Sequence, residues 1–186
     1  MKTNLFSIGN RKLPKSTAIF NMGPASDCPS SRRGLCQLDC PSKCYALKAE
    51  QCYKQVLPYR LSQLDFWIND SVDNWVDRFH YETRGKIHIV RLNESGDFHD
   101  QTCIIKLGSI ARALPHIRFY GYTARKDLKF DYLPNNITIN GSGFMVHNRF
   151  DAVDRIKPKI IVCCGDCKRC DICTTRRGIT IQNLLH

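Results

Sequence analysis

The chain has 186 residues, of which 42% are hydrophobic and 24% are charged, and it contains 11 cysteines. These fractions are ordinary for a folded protein, which excludes a disordered tail protein, a coiled coil or a collagen-like chain. The length suits one compact domain, so we treat residues 1–186 as a single domain. The formal net charge is +11, which makes nucleic acid one kind of partner to consider.

The N-terminus is basic but lacks the apolar run of a secretory signal, and the longest apolar runs are too short to cross a membrane. We therefore expect a cytoplasmic protein without a membrane partner. The cytoplasm is reducing, which disfavours disulfides, and an odd count of 11 cysteines cannot pair completely. Metal binding is the leading use for these cysteines.

Short runs rich in β-branched and aromatic residues predict five strands, at residues 16–21, 86–92, 116–122, 136–140 and 159–163. Between the first two strands, residues 45–53 have the character of a helix, and apolar residues recur at helical spacing over residues 61–79, which predicts one helix or two. The same spacing predicts a helix over residues 103–114, ended by Pro115.

Strands that alternate with helices favour parallel pairing through right-handed crossovers. The predicted fold class is α/β, a partial parallel (β/α) barrel of about five strands with a cysteine-rich N-terminal loop and C-terminal tail. Such folds place functional groups at the carboxyl ends of their strands. Both cysteine clusters and the loop of residues 93–98 follow predicted strands.

The strongest chemical signal lies near the C-terminus. Cys164, Cys167, Cys170 and Cys173 form three successive CxxC steps, and Cys163 stands beside the first. Four thiolates at this spacing can wrap a cubane iron–sulfur cluster. They could equally hold a tetrahedral zinc ion.

A second cluster, Cys28, Cys36, Cys40 and Cys44, follows the first predicted strand in a loop rich in Pro, Ser and Gly. Cysteines in this position resemble those of the radical SAM enzymes, whose CxxxCxxC loop leaves one iron open. The pair Cys36 and Cys40 matches the CxxxC opening, whereas Cys44 comes one residue late. Cysteines of the C-terminal cluster could instead complete the ligands of every iron.

Several motifs in order, AIFNMGPASDCP, CPSKCYALKAE, LNESGDFHD, FYGYTAR, CGDCKRC and ITIQNLLH, resemble those of the bacteriophage gene product 88 domain family over about residues 20–186. The resemblance implies a viral iron–sulfur protein related in outline to radical SAM barrels, located in the host cell cytoplasm. The residues that match the family motifs are Cys28, Cys40, Cys44, Glu94, Ser95, Gly96, Asp97, Cys164, Cys167 and Cys170. This chain adds Cys36, Cys163 and Cys173.

The loop NESGDF, after the second predicted strand, offers Glu94, Ser95, Gly96 and Asp97 as candidate cofactor-binding residues. The glycine allows close approach of the backbone, and the carboxylates can accept hydrogen bonds from an amine, a ribose or a water. The alternative is that Ser95 or Asp97 caps the following helix. No residue is assigned a catalytic role, and enzymatic activity is left open.

The sequence thus predicts a protein that binds one [4Fe–4S] cluster, or two, for electron transfer or for structure. The candidate ligands are Cys28, Cys36, Cys40, Cys44, Cys164, Cys167, Cys170 and Cys173. The alternatives are a radical SAM-like enzyme that uses S-adenosylmethionine and a zinc-bound nucleic-acid module. A redox partner and nucleic acid are the expected partners. A cluster that joins both chain ends would cross-link and stabilise the fold, so we expect the apo protein to be largely unfolded.

Overall fold

The computed structural model describes residues 4–38 and 43–184, so the candidate ligand Cys40 lies outside the described residues. The strands are β1 (Ser7–Ile8), β2 (Thr17–Phe20), β3 (Ile89–Leu92), β4 (Arg118–Thr123), β5 (Ile137–Ser142), β6 (Asn148–Val153), β7 (Ile161–Val162) and β8 (Thr180–Leu184). The helices are α1 (Pro29–Arg32), α2 (Tyr45–Cys52), α3 (Val56–Asn69), α4 (Val72–Thr83), α5 (Gln101–Ala113) and α6 (Ile172–Thr175), with a 3-10 turn at Ala25–Asp27.

All strands belong to one open sheet with the order β1-β2-β3-β4-β5-β6-β8-β7. β1 pairs antiparallel with β2, and the remaining pairs are parallel. The α/β class and the parallel pairing are therefore confirmed. Five strands was too low a count, because the eight-stranded sheet also contains β1, β6 and β8.

The two faces of the sheet are covered differently. Side chains of Phe20, Val90, Phe119 and Ile139 point into the main hydrophobic core, where α3, α4 and α5 contribute further apolar residues, namely Trp67, Trp75, Phe79, Ile104, Leu107 and Ile110. The alternate residues of the same strands face the other way, where Ile19, Ile89, Tyr120 and Tyr122 form a smaller cluster with Leu13, which precedes β2. A parallel sheet is normally buried on both faces, and this one conforms.

Local signals fix the ends of the helices over the main core. The Ser71 side chain accepts a hydrogen bond from the Asn74 N–H (3.1 Å) and caps α4, which ends where Arg84 adopts a left-handed conformation. Asp100 caps α5 by accepting from the Cys103 N–H (3.2 Å). These are the usual capping residues. Among the described helices, none has the length and apolar character needed to cross a membrane.

A short return joins the parallel strands β5 and β6, whose register pairs Asn140 with Asn148. A parallel connection normally takes a dozen residues or more. The tight return is possible because Gly141 has no side chain: a Cβ atom there would collide with the Phe144 carbonyl oxygen. His147 completes the return. Its ring Nδ1 accepts the Ile139 N–H (2.9 Å), and its backbone N–H donates to the Ile139 carbonyl (3.1 Å).

We predict that His147 makes stability depend on pH. Burial, assisted by the charge of Arg177, lowers the pKa of His147 to about 4, against about 6.5 in an unfolded chain. The folded state therefore resists protonation, so this contribution is complete above pH ~6.5 and is lost as the pH falls towards 4. In urea unfolding at pH 7 and pH 5, the wild type should lose more free energy of unfolding than His147→Asn, whose amide oxygen can still accept the Ile139 N–H.

The matched control is His116→Asn, because His116 is exposed. It should keep the wild-type difference between the two pH values. Equal losses for the wild type and His147→Asn would contradict the prediction.

Candidate functional site

The C-terminal cysteine segment, residues 163–174, lies on the second face of the sheet, the face that carries Ile19, Tyr120 and Tyr122. Its cysteines line one pocket with the side chains of that face, in a set comprising Leu13, Thr17, Ile89, Tyr120, Tyr122, Cys163, Cys164, Cys167, Cys170 and Cys173. Thr17 and Ile89 stand at the beginning of their strands. The segment therefore crosses the sheet face, whereas the sequence predicted that it would lie at the carboxyl ends of the strands.

Turns bring these thiols together. Gly165 has a φ of 71°, a left-handed conformation that costs glycine little. The Asp166 side chain then accepts the Lys168 N–H (3.1 Å), and the Asp166 carbonyl accepts the Arg169 N–H (3.2 Å). These bonds fold the chain back on itself between Cys164 and Cys170, and both cysteines line the same pocket.

Polar residues of β5 and β6 fasten the segment to the sheet. Asn140 donates to the Cys173 carbonyl (3.2 Å), Thr138 donates to the Thr174 carbonyl (3.2 Å), and Asn148 donates to the Arg176 carbonyl (2.8 Å). All three anchoring side chains belong to buried residues. The anchors were missed in the sequence, where an isolated Asn or Thr in a strand gives no sign of what it will bind.

The thiols affect one another's ionisation. Burial raises the pKa of Cys167, and neighbouring thiols add to the rise. Burial likewise raises the pKa of Cys173 to about 11, although an interaction with the Tyr122 hydroxyl opposes the rise. Protein burial alone thus favours neutral thiols, whereas a bound metal core would supply the positive charge that favours thiolates.

Arg91 interacts with residues of both cysteine segments. Its guanidinium stands over the rings of Tyr122 and Tyr120, with its central carbon 4.3 Å and 5.1 Å from the ring centroids. It is also within electrostatic range of Cys167 and of Tyr45, the residue after Cys44. Arg91 is only 9% exposed, and its Nη1 has no hydrogen-bond partner among the described residues.

The N-terminal cysteines are more dispersed. Cys28 precedes α1 and is close to Cys36 and Asp97, and burial raises its pKa to about 11. Cys44 is the N-cap residue of α2. None of these three described cysteines lines the C-terminal pocket. Cys40, also predicted as a ligand, lies outside the described residues.

A buried ion pair holds the start of this N-terminal segment. Glu50 accepts the backbone N–H groups of Ala25 (2.6 Å) and Ser26 (3.0 Å) and pairs with Arg60 (2.6 Å). Burial would raise the pKa of Glu50, but these donors outweigh it and leave the pKa below its usual range. The Arg60 guanidinium also donates to the Ala46 carbonyl (2.8 Å), which ties α3 to α2.

Asp97 of the NESGDF loop is buried. Its carboxylate accepts hydrogen bonds from Ser30 Oγ (2.6 Å), Thr123 Oγ1 (2.7 Å), Ala124 N (2.8 Å) and Phe98 N (2.8 Å). Because these donors use both oxygens, Asp97 joins the cysteine segment after β2 to the end of β4. Burial raises its pKa despite the four donors. The helix cap is Asp100, so the predicted capping role for Ser95 or Asp97 was wrong.

The other three residues of this motif also contact the protein itself. The Glu94 carboxylate accepts from Asn10 Nδ2 (2.9 Å), and the Ser95 N–H donates to Asn21 Oδ1 (2.9 Å). A Cβ atom on Gly96 would lie 2.6 Å from the Gly23 carbonyl oxygen, and Gly96 has a φ of 69°. The glycine therefore permits a close approach to the backbone at Gly23, in the loop that follows β2.

The described residues contain no group of three or more His, Cys, Asp or Glu side chains placed to hold one metal ion. The C-terminal thiols share a pocket without forming a cage of that kind. Four thiolates around zinc lie ~3.8 Å apart. In a cubane cluster each thiolate binds its own iron, so the ligands are further apart than around a single ion.

The fold and site define a class of protein: an open, mostly parallel α/β sheet with the long helices α3, α4 and α5 on one face and a cysteine-rich segment, which includes α6, on the other. Within it, the chain belongs to the gene product 88 family, whose model matches residues 3–171. This confirms the bacteriophage family that the motifs resembled. The matched range includes Cys164, Cys167 and Cys170 and stops before Cys173. No curated protein and no solved structure matches the chain.

We predict that Asp97→Asn destabilises the protein even without a cofactor. An amide offers one acceptor oxygen where the carboxylate offers two, and its NH2 group would face hydroxyl and N–H donors. Loss of charged hydrogen bonds in a buried site costs about 2 kcal/mol or more. Urea unfolding of the metal-free protein measures the change.

Asp100→Asn in the same loop is the matched control, because Asn is as good an N-cap as Asp. It should change the free energy of unfolding by less than ~0.5 kcal/mol. If Asp97→Asn changed the free energy of unfolding equally little, Asp97 would not be the residue that joins the segment after β2 to the end of β4.

Proposed function

We propose that the protein binds a [4Fe–4S] cluster through Cys164, Cys167, Cys170 and Cys173, and that the cluster carries electrons or orders the C-terminal segment. The observation that carries the proposal is the shared pocket of these thiols on the sheet face. A bound cluster would supply one-electron redox chemistry, with a potential set by net charge, hydrogen bonds to sulfur and exposure.

The residues around the pocket fit such a group. A cluster with four thiolates is anionic, and Arg91 offers a buried cation whose Nη1 has no partner among the described residues. Isolated buried charges are strongly disfavoured unless they are paired. The Ile172 N–H lowers the pKa of Cys170 by hydrogen bonding to its sulfur, although burial and Cys164 outweigh it. An N–H donor to sulfur is a common support for cluster thiolates.

Three of the four remaining candidates, Cys36, Cys40 and Cys44, support a second candidate function. They follow the first parallel strand of the sheet, and Tyr45 brings the end of their segment to Arg91. A cluster held there by the CxxxC pair and Cys44 would leave one iron open to S-adenosylmethionine, as in a radical SAM-like enzyme. We propose further that the sheet curves as a partial barrel with the cysteine segments on its concave face.

The proposal predicts a brown protein with about four iron and four sulfide ions per chain when it is purified without oxygen. Replacing two C-terminal ligands, in Cys164→Ser/Cys167→Ser, should abolish iron binding. Cys52→Ser is the control and should retain iron, since Cys52 is an exposed residue of α2 outside both segments. Iron, sulfide and zinc analysis with absorbance spectra measures this.

The same experiment separates the alternatives. Zinc without iron would overturn the iron–sulfur proposal and support the nucleic-acid module. If Cys40→Ser/Cys44→Ser loses iron while the C-terminal double variant keeps it, the N-terminal segment is the cluster site. A paramagnetic resonance signal that shifts on addition of S-adenosylmethionine would then support the enzyme.

We also predict that chelation of the cluster leaves most of the fold intact. The main hydrophobic core contains none of the candidate ligands, and Asn140 and Asn148 hold the C-terminal segment through backbone carbonyls. The structure thus favours a milder effect than the unfolding expected from the sequence. Circular dichroism should show a cooperative melt of the apo protein, while thiol labelling of Cys164 and Cys167 should accelerate several-fold. A non-cooperative apo protein would contradict this.

A further inference from the structure

One buried cation on the second face of the sheet has a nitrogen that finds no hydrogen-bond partner within the part of the chain that the structure describes. Arg91 extends from β3, and the two rings of Tyr120 and Tyr122 hold its guanidinium at 5.1 Å and 4.3 Å. The rings provide a cation–π contact, which satisfies part of the charge but accepts no hydrogen bond in the plane of the guanidinium. Among the described residues, Nη1 finds no acceptor.

Tyr122 connects this cation to a candidate ligand. Its hydroxyl interacts with the Cys173 thiol, and the same residue lines the cysteine pocket. Arg91 is in turn within electrostatic range of Cys167. The sheet therefore presents a positive charge and a hydroxyl donor to two of the thiols proposed as ligands.

We propose that Arg91 and Tyr122 set the reduction potential of the cluster, by stabilising its reduced form with a buried positive charge and with a hydrogen bond to the Cys173 sulfur. The inference rests on the proposed iron–sulfur function. Addition of one electron from an external reductant makes the cluster and its thiolates more negative by one charge. A cation and a hydrogen-bond donor favour the more negative state, so both residues raise the potential.

The buried setting makes the charge effective. Interactions between charges are several-fold stronger away from water than at an exposed surface, and Arg91 is only 9% exposed. In this view Arg91 and Tyr122 are positioning residues that act on the cluster through its ligands.

The test is a redox titration of the reconstituted protein with dithionite as reductant, followed by paramagnetic resonance. Arg91→Met removes the charge, and Arg91→Lys keeps it. We expect Arg91→Met to shift the one-electron reduction equilibrium at least tenfold against reduction, about 59 mV, and Arg91→Lys to shift it less. The matched control is Arg118→Met on β4, where the arginine is exposed. The reduction potential of the cluster in this variant should equal that in the wild type.

Tyr122→Phe provides an independent variant, since it keeps the aromatic ring beside Arg91 and removes only the hydroxyl. It should also lower the potential, whereas Tyr132→Phe, at a residue 76% exposed, should not. If Arg91→Met does not fold, the reduction potential of Tyr122→Phe tests the inference. Unchanged potentials in variants with wild-type iron content would overturn the inference and leave the iron–sulfur proposal standing. Failure of the wild type itself to bind iron would overturn both.

Discussion

Both faces of the parallel sheet have to be shielded from water, and among the described residues the three long helices α3, α4 and α5 cover one of them. α3, α4 and α5 pack over the face that carries Phe20, Val90 and Phe119. The opposite face carries Ile19, Tyr120 and Tyr122, and the C-terminal cysteine segment lies across it. Covering this face with a polar loop requires a compensating interaction. Asn140 and Asn148 supply part of it, and a bound cluster would supply more.

The carboxyl edge of the strands depends on buried polar groups that satisfy one another. Asp97 fastens the cysteine segment after β2 to the end of β4, and Glu50 fastens the start of that segment to α2 and α3. Breaking a buried pair is costly, because the remaining charge stays away from water. Asp97 and Glu50 therefore hold these loops of irregular backbone in one place through their hydrogen bonds.

Much of the fold could be predicted from local patterns. The runs that became β2, β3, β4 and β5 are rich in β-branched and aromatic residues, and they are central strands buried on both sides. β6 and β8 were missed because they carry polar residues such as Asp151 and Gln182 among the apolar ones. Gln182 accepts the Lys157 N–H (2.8 Å), a long-range contact that no local pattern reveals. For the same reason Arg91 had no signal in the sequence, since its tyrosine partners come from another strand.

The charges near the cysteines differ between the N-terminal and the C-terminal segment. Cys28 lies beside the buried carboxylate of Asp97, and the charge on Asp97 adds to the effect of burial in raising the pKa of this thiol. Making Cys28 a thiolate ligand would place two negative charges together in a poorly solvated site, which is unfavourable. Cys167 has Arg91 within range instead, and this charge lowers its pKa against the effect of burial. Positive charge favours thiolates, so the C-terminal pocket is the better place for an anionic cluster, and Cys28 fits a structural thiol beneath the N-terminal loop.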